Sequence, residues 1–159
     1  NNSYSIVEKL CGVKSNLNLD PVLVSGIENE PWKEANIENY IIVYGYAGRF
    51  AEEEKQAIVE FAHKNKLKTI SLCDYQDFCD QHIVCRPDEI LGYFKKANYI
   101  VTDTFHGTIF SIIFEKEFRN VVNMKRGCAR FVDIINKYKS NSLGVFRKKS
   151  LDFIRDSLV

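Results

Sequence analysis

Two short stretches of this 159-residue chain gather residue types that bind and process anions. The first is Asp103-Thr104-Phe105-His106-Gly107-Thr108. An imidazole such as His106 acts as a general acid near neutral pH or, when protonated, stabilises a negative charge. Gly107 removes a Cβ that would block approach to the backbone, and Thr104 and Thr108 add hydroxyls. If a helix starts here, its first N–H groups carry partial positive charge and form an anion cradle. The second stretch is Gly45-Tyr46-Ala47-Gly48-Arg49, where glycines let backbone approach a ligand and Arg49 can fork onto phosphate or carboxylate. Plainer readings stand beside both. His106 and Asp103 also suit a helix cap and a turn, and Gly48 with Arg49 suits a glycine turn carrying a solvated guanidinium.

A third grouping is Cys73, Cys79 and Cys85, spaced six residues apart with His82 among them. Structural zinc sites bring their ligands in closely spaced pairs, so this spacing favours free thiols, and no metal site is expected. The full count of five cysteines is odd and contains no Cys-x-x-Cys, which suits a reducing cytoplasm better than a disulfide framework.

The elements that must hold these stretches follow from hydrophobic periodicity. Residues 40–46 form a β-branched and aromatic run. Residues 51–64 then place Ile58, Phe61 and Ala62 on one helical face. The pattern recurs with a strand over 68–73, a helix over 87–97, a strand over 99–103, an apolar helix over 106–114 and a fourth strand over 118–123. Pro87 and Asp88 suit the opening turn of a helix. Strands alternating with helices predict an α/β, Rossmann-like, three-layer domain with a mostly parallel sheet. Residues 1–38 read as an entry helix, closing at Gly12, and a connecting segment. Beyond the strands lie a helix carrying Phe131, Ile134, Ile135 and Tyr138 and a short one over 151–158. In such a sheet ligands bind beyond the carboxyl ends of the strands, which singles out the Gly45–Arg49 and Asp103–Thr108 loops.

Composition narrows the function classes. Twenty-two basic and 21 acidic residues give a net charge of +1, too balanced for a nucleic-acid footprint. Charge is uneven along the chain, with nine basic and three acidic residues over 125–159. Hydrophobic residues at 45% support a packed core. The longest uncharged run of the second half, residues 104–114, is too short to span a bilayer, and no transmembrane segment or signal peptide is expected.

The segment from Ile100 through Asp103-Thr104-Phe105-His106-Gly107-Thr108 to Phe114 resembles the signature of the polysaccharide pyruvyl transferase family. There, a strand ends in an Asp-(Ser/Thr)-x-His-Gly loop before an apolar helix. Asp20-Pro21-Val22-Leu23, Trp32, the strand over 40–44 and the helix over 87–97 also match, so the resemblance covers roughly residues 3–138. It implies one half of a GT-B-type fold and transfer of a pyruvyl group from phosphoenolpyruvate to a sugar hydroxyl, forming a ketal in cell-surface polysaccharide biosynthesis. His106 is then the catalytic residue at the donor site. Arg49, Arg126 and Arg130, with Thr104, Gly107 and Thr108, bind the donor, and Asp103 and Gly48 support them. No cofactor is implied, since phosphoenolpyruvate is itself the donor substrate.

Two departures from the family pattern stand out. Some relatives carry an Arg two residues before the His, where this chain has Thr104. The chain also corresponds to a C-terminal, donor-binding half over residues 1–159, so an N-terminal half of the same protein is the expected partner and turnover by this half alone is not expected. Two other readings fit the same loops: a glycosyltransferase half binding a nucleotide sugar, and a non-catalytic glycan-binding or interaction module.

Overall fold

A computed structural model describes residues 2–14, 20–72 and 74–121, which fall into two compact units divided between Ile27 and Glu28. In the first unit, α1 (Asn2–Cys11) closes at Gly12, whose φ of +64° favours glycine and whose N–H bonds the Glu8 carbonyl at 3.0 Å. Helix α2 (Pro21–Val24) opens on Asp20. Its carboxylate accepts the Val22 N–H at 3.0 Å, and Pro21 takes the first-turn place where no N–H is needed.

The second unit runs β1 (Tyr40–Tyr44), α3 (Glu52–Lys64), β2 (Lys68–Leu72), β3 (Gln81–Ile83), α4 (Pro87–Lys96), β4 (Tyr99–Thr102), α5 (Phe105–Ile113) and β5 (Phe118–Asn120). The strands form one sheet in the order β3-β2-β1-β4-β5, and every pairing is parallel. Ile42 at the centre of β1 pairs with Ile70 of β2 on one side and Ile100 of β4 on the other. This is the Rossmann-like α/β arrangement expected from the strand–helix alternation.

Both faces of the central strands are buried, because alternate residues point to opposite sides of a sheet covered twice. Tyr40, Ile42, Ile70, Leu72 and Ile100 pack with Phe94 of α4, against which Phe110 of α5 also rests. On the other face Ile41, Val43 and Val101 pack with Ile58 and Ala62 of α3 and with Phe50. The result is three layers, with α4 and α5 on one side and α3 on the other. Two helices start alike. Glu54 accepts the Ala51 N–H at 2.8 Å ahead of α3, and Glu89 accepts the Arg86 N–H at 3.1 Å ahead of α4.

The fold departs from the sequence reading at three places. A fifth strand, β3, occupies one edge, where Gln81 and His82 give no apolar alternation to announce it. Its connection from β2 contains no helix, and Asp80 secures it by accepting both the N–H and the hydroxyl of Thr69, at 2.8 and 2.9 Å. Strand β5 ends at Asn120. Phe61 is 40% exposed, and its ring leans on that of Tyr99 at 4.9 Å between centroids.

Candidate active site

The strand order reverses at β1, with β2 on one side and β4 on the other. Loops leaving neighbouring strands diverge at such a point and open a crevice at the carboxyl edge. A cleft of about 130 Å³ lies there, and Gly45, Tyr46, Asp74, Thr104 and His106 contribute to its lining. Three strands therefore each deliver residues to it: Tyr46 follows β1, Asp74 follows β2, and Thr104 and His106 follow β4.

The β4 side is organised by a chain of hydroxyls. Thr102 Oγ1 lies 2.6 Å from the Tyr44 carbonyl oxygen, which can only accept, so the Thr102 hydroxyl donates to it. The 3.1 Å contact between the Thr102 and Thr104 hydroxyls must then run from Thr104 to Thr102. Thr104 Oγ1 in turn accepts the Gly107 N–H at 2.9 Å as the N-cap of α5. Strand β1, strand β4 and helix α5 are thus tied by one directed series of hydrogen bonds. Gly107 is part of it, because a Cβ there would overlap the Thr102 side chain and lie 2.8 Å from Thr104 Oγ1. Thr108 is fully buried, and its hydroxyl donates to the Thr104 carbonyl at 3.0 Å. Gly107 and Thr108 brace the loop from beneath, while Thr104 and His106 line the cleft itself.

His106 is exposed at the start of α5. Its ring sits 5.6 Å from that of Phe105 and 6.1 Å from that of Phe110, one helical turn on. Phe110 packs edge-on against Phe94 of α4, so the imidazole rests on an aromatic support rooted in the core.

The β1 loop presents Arg49. Its guanidinium stacks over the Tyr46 ring at 4.0 Å, and Nη1 lies 3.3 Å from Asp103 Oδ2. Asp103 is almost enclosed, with 8% of its side chain exposed, and its Oδ1 also accepts the Tyr46 N–H at 3.3 Å. One carboxylate thereby fixes both the loop backbone and the cation, and Arg49 itself stands beside the cleft, outside its lining. Gly45 is required by this closeness, since a Cβ would meet Asp103 Oδ1 at 2.7 Å. Gly48 turns the loop at φ +69°. Arg126 and Arg130 lie outside the described residues.

Asp74 was not among the residues singled out by sequence. Its Oδ2 accepts the Ala47 N–H at 2.7 Å and its Oδ1 accepts the Tyr75 N–H at 3.1 Å, so it joins the end of β2 to the β1 loop. The rule that found the other two loops also covers β2, and an Asp two residues past that strand was the available signal. Gln76 completes the support by donating to the Gly45 carbonyl at 3.0 Å.

The cysteine grouping is built differently. His82 Nδ1 lies 3.0 Å from Ser71 Oγ, and burial pushes the Cys79 thiol up to about 12. Among the described residues no group of three or more His, Cys, Asp or Glu side chains is placed to hold a metal ion, and Cys73 lies outside them. No described helix is long and apolar enough to cross a membrane.

No curated protein and no solved structure matches this chain. A family model described as Polysaccharide pyruvyl transferase matches residues 1–124, a span that takes in all five strands and both loops carrying Arg49 and His106. With more than three quarters of its length matched by that model, and with a His-Gly loop at the switch point of a parallel sheet, the chain belongs to the polysaccharide pyruvyl transferase family.

Proposed function

We propose that this chain is the donor-binding half of an enzyme that moves the pyruvyl group of phosphoenolpyruvate onto sugar hydroxyls as a ketal, in cell-surface polysaccharide biosynthesis. The observation that carries the reading is that His106 and the Arg49-bearing loop converge at one switch-point cleft. Family membership supplies pyruvyl transfer to a glycan as the activity class. Phosphoenolpyruvate carries a carboxylate and a phosphate, so a site for it needs cationic and N–H donors within one crevice. Arg49, held by Asp103 and Tyr46, is one such donor; Arg126 and Arg130, from the basic C-terminal stretch, are proposed as further ones.

Ketal formation begins with protonation of the donor's methylene carbon, which makes its C2 electrophilic. His106 is the residue assigned to this end of the cleft, as the proton donor or as a hydrogen-bond donor to the departing phosphate, and His106→Gln separates the two roles. The N-terminal half of the same protein completes the cleft. Cys11 and Cys79 carry free thiols, in keeping with a cytoplasmic site of reaction.

The test is calorimetric titration of the full-length protein with phosphoenolpyruvate, followed by incubation with methyl glycosides of glucose, galactose and mannose. Phosphate release and a product heavier by one pyruvyl ketal support the reading. Absence of donor binding, or binding of a nucleotide sugar in its place, overturns it.

A further inference from the structure

The cleft is electrostatically lopsided. On its β4 side stand Thr104 and His106, while Arg49, on the β1 loop and outside the lining, is held by Asp103 and Tyr46. On its β2 side stands Asp74, the one carboxylate in the lining. Strands β2 and β4 flank β1, so their ends stand two strand spacings, about 9.5 Å, apart, and the Asp74 carboxylate reaches in from the β2 end to the β1 loop. An anionic donor is repelled from Asp74 and drawn toward the β4 side, which leaves the space beside Asp74 to a neutral group able to donate a hydrogen bond.

Asp74 is also held for such a task. Each of its oxygens accepts one backbone N–H, from Ala47 at 2.7 Å and from Tyr75 at 3.1 Å. Two fixed bonds lock the carboxylate plane and leave each oxygen with unused acceptor capacity.

We infer that Asp74 is the acceptor-side catalytic residue, binding the attacking sugar hydroxyl and taking its proton. The inference rests on the pyruvyl-transfer reading. As each hydroxyl attacks, its O–H bond breaks, the proton passes to the Asp74 carboxylate, and the oxygen's electron pair forms the new bond to C2. Phosphate leaves with the electron pair of its C–O bond. Of the two hydroxyl protons, one replaces the proton delivered to the methylene carbon and the other leaves with phosphate, so the ketal carries a methyl group and nothing is oxidised or reduced.

The experiment uses the full-length protein, phosphoenolpyruvate and whichever methyl glycoside accepts pyruvate. Asp74→Asn is expected to lower kcat/KM for the glycoside on the order of 10²–10⁴-fold. Affinity for phosphoenolpyruvate alone is expected to hold or to tighten roughly two- to fivefold, because a like charge has been removed. Asp74→Ala is expected to recover part of its lost turnover when formate or acetate is added, with the rescued rate rising with the basicity of the added carboxylate, a dependence that a loop-bracing role would not produce. Donor affinity falling in step with turnover, turnover left intact, absence of carboxylate rescue, or unfolding of both variants overturns the inference while pyruvyl transfer by the parent protein stands. If the parent protein binds no phosphoenolpyruvate, the underlying reading fails and takes this one with it.

Discussion

Gly107 lies against Thr102 so closely that a methyl group added to it would overlap the threonine side chain. Thr102 cannot turn away freely, because its hydroxyl is bonded to the Tyr44 carbonyl and receives both the N–H and the hydroxyl of Thr104. Gly107→Ala is therefore expected to destabilise the fold by about 1–3 kcal/mol through overpacking. Thr102→Ala removes the obstructing atoms and breaks the hydroxyl series. The double variant should then lose less stability than the two single losses added together, since the residues are in direct contact. Denaturant unfolding of the four proteins measures the coupling, and simple additivity would contradict the packing argument.

The same contact shows where sequence reading reaches and where it stops. The strands at 40–44, 68–72 and 99–102 announce themselves because burial on both faces demands continuous apolar, β-branched runs. Strand β3 does not, since three residues at a sheet edge need no apolar pattern. His106, Gly107 and Arg49 stand out by residue type, yet the division of labour in the loop does not. Gly107 and Thr108 resemble an open anion cradle in sequence, whereas their N–H and hydroxyl groups are taken up by Thr104. Asp74 is marked in sequence only by its place just past β2, and its grip on the β1 loop emerges once β2 is seen beside β1, because Ala47 lies 27 residues away along the chain.

Arg49 and Asp103 should differ in what they contribute to donor binding. If Arg49 binds the donor as proposed, Arg49→Ala is expected to weaken phosphoenolpyruvate binding about 10- to 100-fold, through loss of charge-assisted hydrogen bonds. Asp103→Asn leaves the cation in place but loosens its anchor at 3.3 Å, so a smaller loss is expected. Arg49→Lys should recover little, because an ammonium cannot reproduce the planar fork that stacks on Tyr46. Isothermal titration of the three variants gives the order directly.

Acid stability should carry the mark of Asp80. Hydrogen bonds from the Thr69 backbone N–H, first, and the Thr69 hydroxyl hold its carboxyl below the ordinary value, against a smaller opposing effect of burial. A carboxyl lowered on folding binds protons more readily in the unfolded chain. Its stabilising contribution is thus present above the unfolded value, about 4, and is lost as pH falls through the folded value. Asp80 is exposed, which keeps the effect modest. Unfolding midpoints followed from pH 6 down to pH 3 should decline less steeply in Asp80→Asn than in the parent protein.

Thiol reactivity should separate Cys11 from Cys79. Cys11 is exposed, whereas burial lifts the Cys79 thiol to about 12 and leaves almost no thiolate at pH 8. Iodoacetamide treatment of the folded protein followed by peptide mass spectrometry should find Cys11 alkylated and Cys79 protected. Labelling of Cys79 should appear only on addition of denaturant, and equal labelling of the two before unfolding would contradict the burial of the Cys79 thiol.

On the proposed reading His106 is the residue to test for the chemistry, because a structural and a functional role lead to different outcomes. Its ring is exposed and supported by Phe110, so truncation removes little buried surface. His106→Ala is accordingly expected to leave the melting temperature nearly unchanged while lowering turnover of the full-length enzyme on the order of 10²–10⁴-fold. His106→Gln divides the remaining roles. The amide still donates a hydrogen bond to phosphate but delivers no proton near neutral pH. A Gln variant as slow as the Ala variant assigns His106 to protonation of the methylene carbon, and a Gln variant close to the parent assigns it to the departing phosphate. Near-parental turnover in the Ala variant would remove His106 from the reaction and leave it as the exposed first-turn residue of α5.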